Sequence, residues 1–133
     1  MSQENVEVVY RMASAVGQGD VTPFLEVTDP AVEWHSSVSE ISEGGAYHGH
    51  EGVRHYVSDL DEAFHSFEVT VEDVLALGQV AVAVGRVSYR GKASGLEQTE
   101  QFGWVFRFRE GRVVYLRAFR DPEAALGAVG LRE

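Results

Sequence analysis

Hydrophobic positions change their period once along these 133 residues, near Phe67. Before that point the spacing is helical. Val9, Met12, Ala13 and Val16 follow the i, i+3, i+4, i+7 template, with Ser2 as N-cap, Glu4 in the first turn, and Gly17 and Gly19 as terminators. A short second helix is predicted over Pro23 to Val27, because Pro is pre-set for a first helical position and Thr22 or Asp20 can cap it. Asp29-Pro30 stops that helix, Val32-Glu33-Trp34 reads as a short strand, and a Ser- and Gly-rich loop runs from Ser36 to Gly49. A third helix takes Glu51 to Phe64, with Val53, Tyr56, Val57, Leu60 and Phe64 on one stripe.

From Phe67 onward the period is two. Phe67, Val69 and Val71 alternate with Glu68, Thr70 and Glu72, and Leu77-Gly78-Gln79-Val80 reverses the chain into a strand over Val80 to Tyr89. Phe102, Trp104, Phe106 and Phe108 share one face of the next strand, Glu110-Gly111 turns it, and a last strand runs from Val113 to Arg120. Asp121-Pro122 then opens a short helix, Glu123 to Ala128. Three helices around one short strand, followed by an antiparallel meander, predict an α+β fold with helices on one face of a curved sheet.

Composition narrows the function classes. A hydrophobic share of 44% and the absence of any linker or low-complexity block predict a single domain spanning 1–133. Eleven Lys and Arg against 21 Asp and Glu give a formal charge of −10, whose field repels nucleic-acid backbones and anionic membrane surfaces. No apolar run approaches the ~20 residues of a bilayer span, and the first residues lack a signal-peptide pattern. Without cysteine there is no disulfide, thiolate nucleophile or zinc thiolate site. A soluble cytoplasmic protein, binding neither nucleic acid nor membrane, is expected.

Four stretches together carry a family resemblance: Glu4 to Asp20 with its Gly-Gln-Gly-Asp ending, Asp29-Pro30-Ala31-Val32-Glu33-Trp34, Gly49-His50-Glu51-Gly52-Val53, and Arg109-Glu110-Gly111-Arg112-Val113-Val114. In combination they resemble the nuclear transport factor 2-like superfamily and, within it, the SnoaL-like polyketide cyclase group. The resemblance implies a cone, in which a curved, mostly antiparallel sheet wraps around the three N-terminal helices and leaves an apolar pocket. It also implies a homodimer through the outer sheet face. The alternation over Val80 to Tyr89 is consistent with this, since both faces carry side chains that prefer burial. Activity does not follow from the fold, because the superfamily hosts isomerases, cyclases, epoxide hydrolases and non-catalytic binders.

Comparison by chemistry removes two mechanisms. A ketosteroid isomerase needs a carboxylate base, a tyrosine and a protonated acid; alignment puts Trp34, Met12 and Trp104 in those places, and none carries a proton suited to the task. The epoxide hydrolase set of two aspartates and an arginine maps onto Ser88, Ala118 and Arg86, which breaks it. The polyketide cyclase comparison carries an acid/base role onto Asp121, although Asp before Pro122 also satisfies a helix N-cap by itself. His35 is a second candidate base, or a hydrogen-bonded loop histidine.

The resemblance implies a pocket lined from the first helix by Met12 and Val16, from the first strand by Trp34 and from the third helix by Tyr56. The sheet is expected to add Phe102, Trp104 and Phe106, then Leu116, Ala118 and Arg120. Arg120 is expected either to hold a ligand carboxylate or enolate or to pair with a nearby acid. Three of the five histidines, His48, His50 and His55, crowd one stretch, but His50 and His55 lie ~140° apart on a helix and do not chelate together. His50, ~60° from the inward stripe, is expected at the pocket rim. No metal or cofactor is expected. Two functions stay open: a cofactor-free cyclase or isomerase acting on an apolar polyketide-like or polycyclic ligand, and a non-catalytic binder or dimeric assembly module with a filled pocket.

Overall fold

The computed structural model describes residues 2–36 and 46–130. Its elements run α1 (Ser2–Ala15), α2 (Thr22–Val27), β1 (Thr28–His35), β2 (Tyr47–His48), α3 (Gly49–Ala63), β3 (Phe64–Leu77), β4 (Val80–Gly91), β5 (Glu97–Arg109), β6 (Arg112–Phe119) and α4 (Pro122–Ala128). The strands form one six-stranded sheet in the order β2-β1-β6-β5-β4-β3. Among the described strands only β1 and β6 pair in parallel; every other pair is antiparallel. The architecture is α+β, as the change of period predicts.

Helix α1 and the turn after it bury the predicted stripe, Val9, Met12, Ala13 and Val16, and the helix adds Asn5, which the apolar pattern passes over. The cap assigned to Ser2 falls on a side chain outside the described set. Helix α2 begins without a side-chain cap, and Asp20 instead accepts from the Thr22 N–H at 3.0 Å. Helix α2 ends at Val27, ahead of the Asp29-Pro30 stop, and β1 starts at Thr28 rather than at the expected Val32, running through the proline. The strand tolerates Pro30 because its register against β6 is irregular between Thr28 and Glu33, where a missing N–H breaks no ladder bond. Helix α3 gives up Phe64 to β3, which starts three residues before the expected Phe67. Most of the Ser36–Gly49 loop lies outside the described residues, but Tyr47–His48 is a short strand paired with Glu33 and Trp34.

Tight turns set the meander. Glu110 and Gly111 both sit at positive φ, 54° and 80°, the pair of left-handed positions that a two-residue hairpin loop needs to match strand twist. Thr28 pins three elements together: its hydroxyl donates to the Phe24 carbonyl at 2.8 Å, and its own carbonyl meets His50 Nε2 at 3.0 Å. That buried threonine is therefore satisfied on both sides.

Two cores result. The main one lies on the inner face of the sheet and contains Val9, Met12, Val16, Trp34, Val53, Leu60, Phe106 and Leu116. Burying each large side chain there contributes about 1.5–3 kcal/mol. The second, small core lies on the outer face, where α4 places Ala125 against Val82 and Val105, with Val84 and Phe119 packed around them. Part of the outer face through which the resemblance implied a homodimer is thus covered by the chain's own last helix.

Candidate functional site

Alternation within strands decides which side chains meet the inner space. In β1, Val32 and Trp34 point inward and are buried, while Glu33 and His35 point to the other face. In β5, Phe102, Trp104, Phe106 and Phe108 are all buried, as their shared face predicts. Across the strands Trp104 stands between Ala83 and Ala118, and Trp34 is level with Leu116. Small residues beside a large indole leave space that no side chain fills.

That space is a small, open-mouthed cavity of about 40 Å³, bounded by Trp34, Tyr56, Phe102, Trp104 and Ala118 together with Ser36, Phe67, Val69 and Val87. The walls interlock as aromatic pairs. The rings of Trp34 and Tyr56 are 4.4 Å apart at 34°, and Phe102 meets Trp104 edge-on at 5.0 Å. No charged side chain lies among the described lining residues. A second hollow, about 30 Å³, lies between the end of α1, α2, α3 and the start of β3, with Phe67 bordering both.

Of the expected pocket residues the cavity brings together Trp34, Tyr56, Phe102, Trp104 and Ala118. Met12, Val16, Phe106 and Leu116 do not line it: they are almost fully buried in the main core. His50 is likewise absent from the lining, because its ring is held against the Thr28 carbonyl. Arg120 is exposed and does not line the cavity either.

The two candidate proton-transfer groups have other partners. Asp121 is exposed and caps α4, its Oδ1 accepting from the Glu123 N–H at 3.0 Å. His35 pairs through Nε2 with Glu33, and its ring lies 5.5 Å from that of Tyr115. The hydrogen bond from His35 holds the Glu33 carboxyl below its usual range, against a smaller opposing effect of burial. Neither Asp121 nor His35 is a lining residue. The three clustered histidines also separate: His48 is exposed and level with Glu33, His50 binds Thr28, and His55 is exposed on α3.

A polar rim was missed in the sequence. Glu100 is level with Val87, and Tyr89 with Phe67, so both share the cavity's side of the sheet. The Tyr89 hydroxyl donates to Glu100 Oε2 at 2.8 Å, and its ring stacks on Phe67 at 5.7 Å. The signal was present: Glu100 continues the even-numbered face of Phe102 and Trp104 by one step. Its charge removed it from an apolar stripe. Burial first, and the neighbouring Tyr47 second, push the Tyr56 hydroxyl well above the usual tyrosine range.

An α+β sheet with helices over an apolar hollow defines a nuclear transport factor 2-like protein, and the comparisons agree. The model for the SnoaL-like domain matches residues 9–116, and the chain belongs to that family. A structure of a nuclear transport factor 2-like protein of unknown function from Burkholderia pseudomallei superposes with a TM-score of 0.79 at 22% identity, covering 96% of this chain and 98% of that one. A putative SnoaL-like polyketide cyclase from Jannaschia sp. gives 0.77 at 22%, covering 99% and 95%. A protein with a ketosteroid isomerase-like fold from Catenulispora acidiphila, in complex with trimethylamine, gives 0.77 at 14%, covering 94% and 93%. No curated protein matches the sequence. Identities this low show the fold, and the activity has to be argued from the cavity.

Proposed function

We propose that this protein binds a small, flat, mostly apolar molecule of the polycyclic or polyketide-like kind in the aromatic cavity. The observation that carries this reading is an aromatic lining of Trp34, Tyr56, Phe102 and Trp104 with no charged side chain among the described lining residues. The likeness to a putative polyketide cyclase and to a ketosteroid isomerase-like fold supports the same ligand class. Both tryptophans of the chain are in the wall, so their fluorescence reports occupancy directly. Titration with tetralin, an uncharged bicyclic hydrocarbon, is expected to quench that emission saturably. Ala118→Phe, which fills the hollow from β6, is expected to weaken binding at least about tenfold. Absence of saturable quenching, or equal affinity in the filled variant, overturns the reading.

Cofactor-free proton transfer of the cyclase or isomerase type is a second reading, and Glu100 favours it. This carboxylate shares the cavity's side of the sheet beyond Phe102 and is oriented by Tyr89, which suits a group exchanging a proton with a ligand carbonyl edge. Asp121 and His35 enter this reading as structural groups only. Exchange of deuterium into the α-position of a bound cyclic ketone is expected to depend on Glu100 and to persist in Asp121→Asn. Exchange undiminished in Glu100→Gln removes Glu100 from the mechanism.

The expected homodimer would seat on the part of the outer face that α4 leaves open, around Glu33, His35, Tyr115 and Arg117. Sedimentation velocity of Tyr115→Glu beside the unaltered chain tests it: a dimer that becomes a monomer supports this interface, and an unchanged sedimentation coefficient overturns it.

A further inference from the structure

The two hollows inside the fold hold about 40 and 30 Å³, room for ordered water and far short of the roughly 300 Å³ at which small-molecule sites begin. Binding of a bicyclic molecule therefore requires a wall to move. Most of the wall is interlocked: Trp34 is 1% exposed and meets Phe24 on one side and Tyr56 on the other, and Trp104 lies edge-on between Phe102 and Phe106. Phe67 differs, because among the described lining residues it alone borders both hollows. Its ring lies 5.1 Å from that of Phe64, in the wall of the second hollow, and 5.7 Å from that of Tyr89, on the cavity's side of the sheet. A side chain with open space on two sides forfeits fewer contacts when it turns than one packed all round. The backbone of Phe67, by contrast, is held. A Cβ on Gly17, which sits at a φ of +83°, would lie 1.8 Å from the Phe67 carbonyl oxygen, so the turn after α1 presses directly on it. Only the ring is left free to move.

We propose that the Phe67 ring is a movable end wall of the cavity, which swings into the second hollow to admit a ligand and so determines how long a ligand the site holds. The proposal rests on the binding reading above and adds to it the route of entry and the limit on size. The second hollow can receive the ring because Ala15, Gly17, Gly19 and Ser66 line it with little or no side chain. Space vacated beside Val69 and Val87 then passes to the cavity. Tyr89 supplies the force that closes the wall again: its ring stacks on Phe67, and its hydroxyl is tied to Glu100 at 2.8 Å and Gln98 at 3.3 Å. An empty site is therefore shut, and a ligand has to displace the ring from that stack. The far side of the second hollow carries the exposed Asp61 and His65, so a ligand that extends past Phe67 reaches water rather than packed core.

Octahydroanthracene extends the skeleton of tetralin by one ring. Stopped-flow tryptophan quenching with each probe gives an association rate and a dissociation constant for every variant. Phe67→Ala, which merges the two hollows with the space of the ring, is expected to raise the preference for octahydroanthracene over tetralin by about tenfold or more. It is also expected to take up tetralin about tenfold faster, because entry no longer waits for the ring. Phe67→Leu keeps an apolar side chain at the site and is expected to shift both quantities in the same direction by about threefold, which covers a failure of the alanine variant to fold. Val113→Ala truncates a buried side chain of the same core away from both hollows and is expected to leave both quantities within about twofold. Tetralin binding with ratio and rate unchanged in the Phe67 variants, or shifted equally by Val113→Ala, overturns the movable wall and leaves cavity binding intact. Binding in the Phe67 variants alone shows a wall that stays shut, and overturns its movement. Tetralin that binds neither the unaltered chain nor the Phe67 variants overturns the binding reading and this inference together.

Discussion

A carboxylate that caps a helix and one that moves a proton make different demands on the same atoms. Asp121 uses its Oδ1 on the Glu123 N–H, so its removal should cost stability first. Asp121→Ala is expected to lose about 1 kcal/mol in denaturant unfolding, while Asp121→Asn, which caps nearly as well, stays within a few tenths. A large loss for the Asn variant would show that the negative charge is doing something the cap does not require. Glu33 supplies a pH signature. Its carboxyl is held low in the folded state by His35, so the stability it adds is present above the ordinary carboxylate range and is lost as pH falls through the folded value. Glu33→Gln should flatten the acid limb of a stability-versus-pH curve below about pH 5, by only a few tenths of a kcal/mol because both side chains are partly solvated. An acid limb identical in the two proteins rules this contribution out. At this scale the sequence displayed the cap at Asp121, because Asp-Pro before a helix is a local pattern. It concealed the fate of His35, because a partner two residues away across a strand pleat is visible only once the strand is known to run that far.

Among the elements, α4 illustrates how a single missing side chain positions a helix. A Cβ on Gly103 would lie 2.5 Å from the Ala125 Cβ and 3.2 Å from the Pro122 Cα. Glycine at that point of β5 lets the helix lie directly on the outer face, over Val82 and Val105. Gly103→Val is expected to push α4 off and destabilise by about 1–3 kcal/mol, read as a lower melting temperature together with faster backbone hydrogen exchange in 122–128. Normal protection of that helix in the variant would mean that the sheet yields instead. The segment around Asp29-Pro30 shows the opposite case. Helix α2 ends at Val27, as the stop at Asp29-Pro30 predicts, but pairing with β6 starts the strand at Thr28, ahead of the expected Val32, and accommodates the proline at an irregular register. Strands β4 and β6 and helix α4 were legible to within about two residues, since period-two alternation and turn chemistry both act over short distances, whereas β3 and β5 start earlier than their apolar alternation shows.

For the molecule as a whole, the division between core and cavity is the property that matters for function. Leu116 and Phe106 sit fully buried where the resemblance implied a pocket wall, whereas Trp104 and Ala118 on the same strands border open space. Leu116→Ala is therefore expected to destabilise by about 2–5 kcal/mol while leaving tetralin affinity within about twofold, the reverse of the pattern predicted for Ala118→Phe. A tenfold change in affinity for the Leu116 variant would place the cavity boundary deeper than the described residues do. The sequence by itself determined the α+β class, the inward stripes of α1 and α3, the aromatic face of β5 and the strongly acidic balance, because these depend on residue type and on periods of two and 3.6. Tertiary structure alone decided which half of that inward face stays open. It brought Tyr56, Trp34 and Trp104 into one wall and set Glu100 on its side of the sheet. It also placed His35 and Asp121 outside the lining. Those outcomes depend on strand register, on the parallel pairing of β1 with β6 and on small residues standing opposite large ones. They are relations between segments far apart in the chain, and no local pattern encodes them.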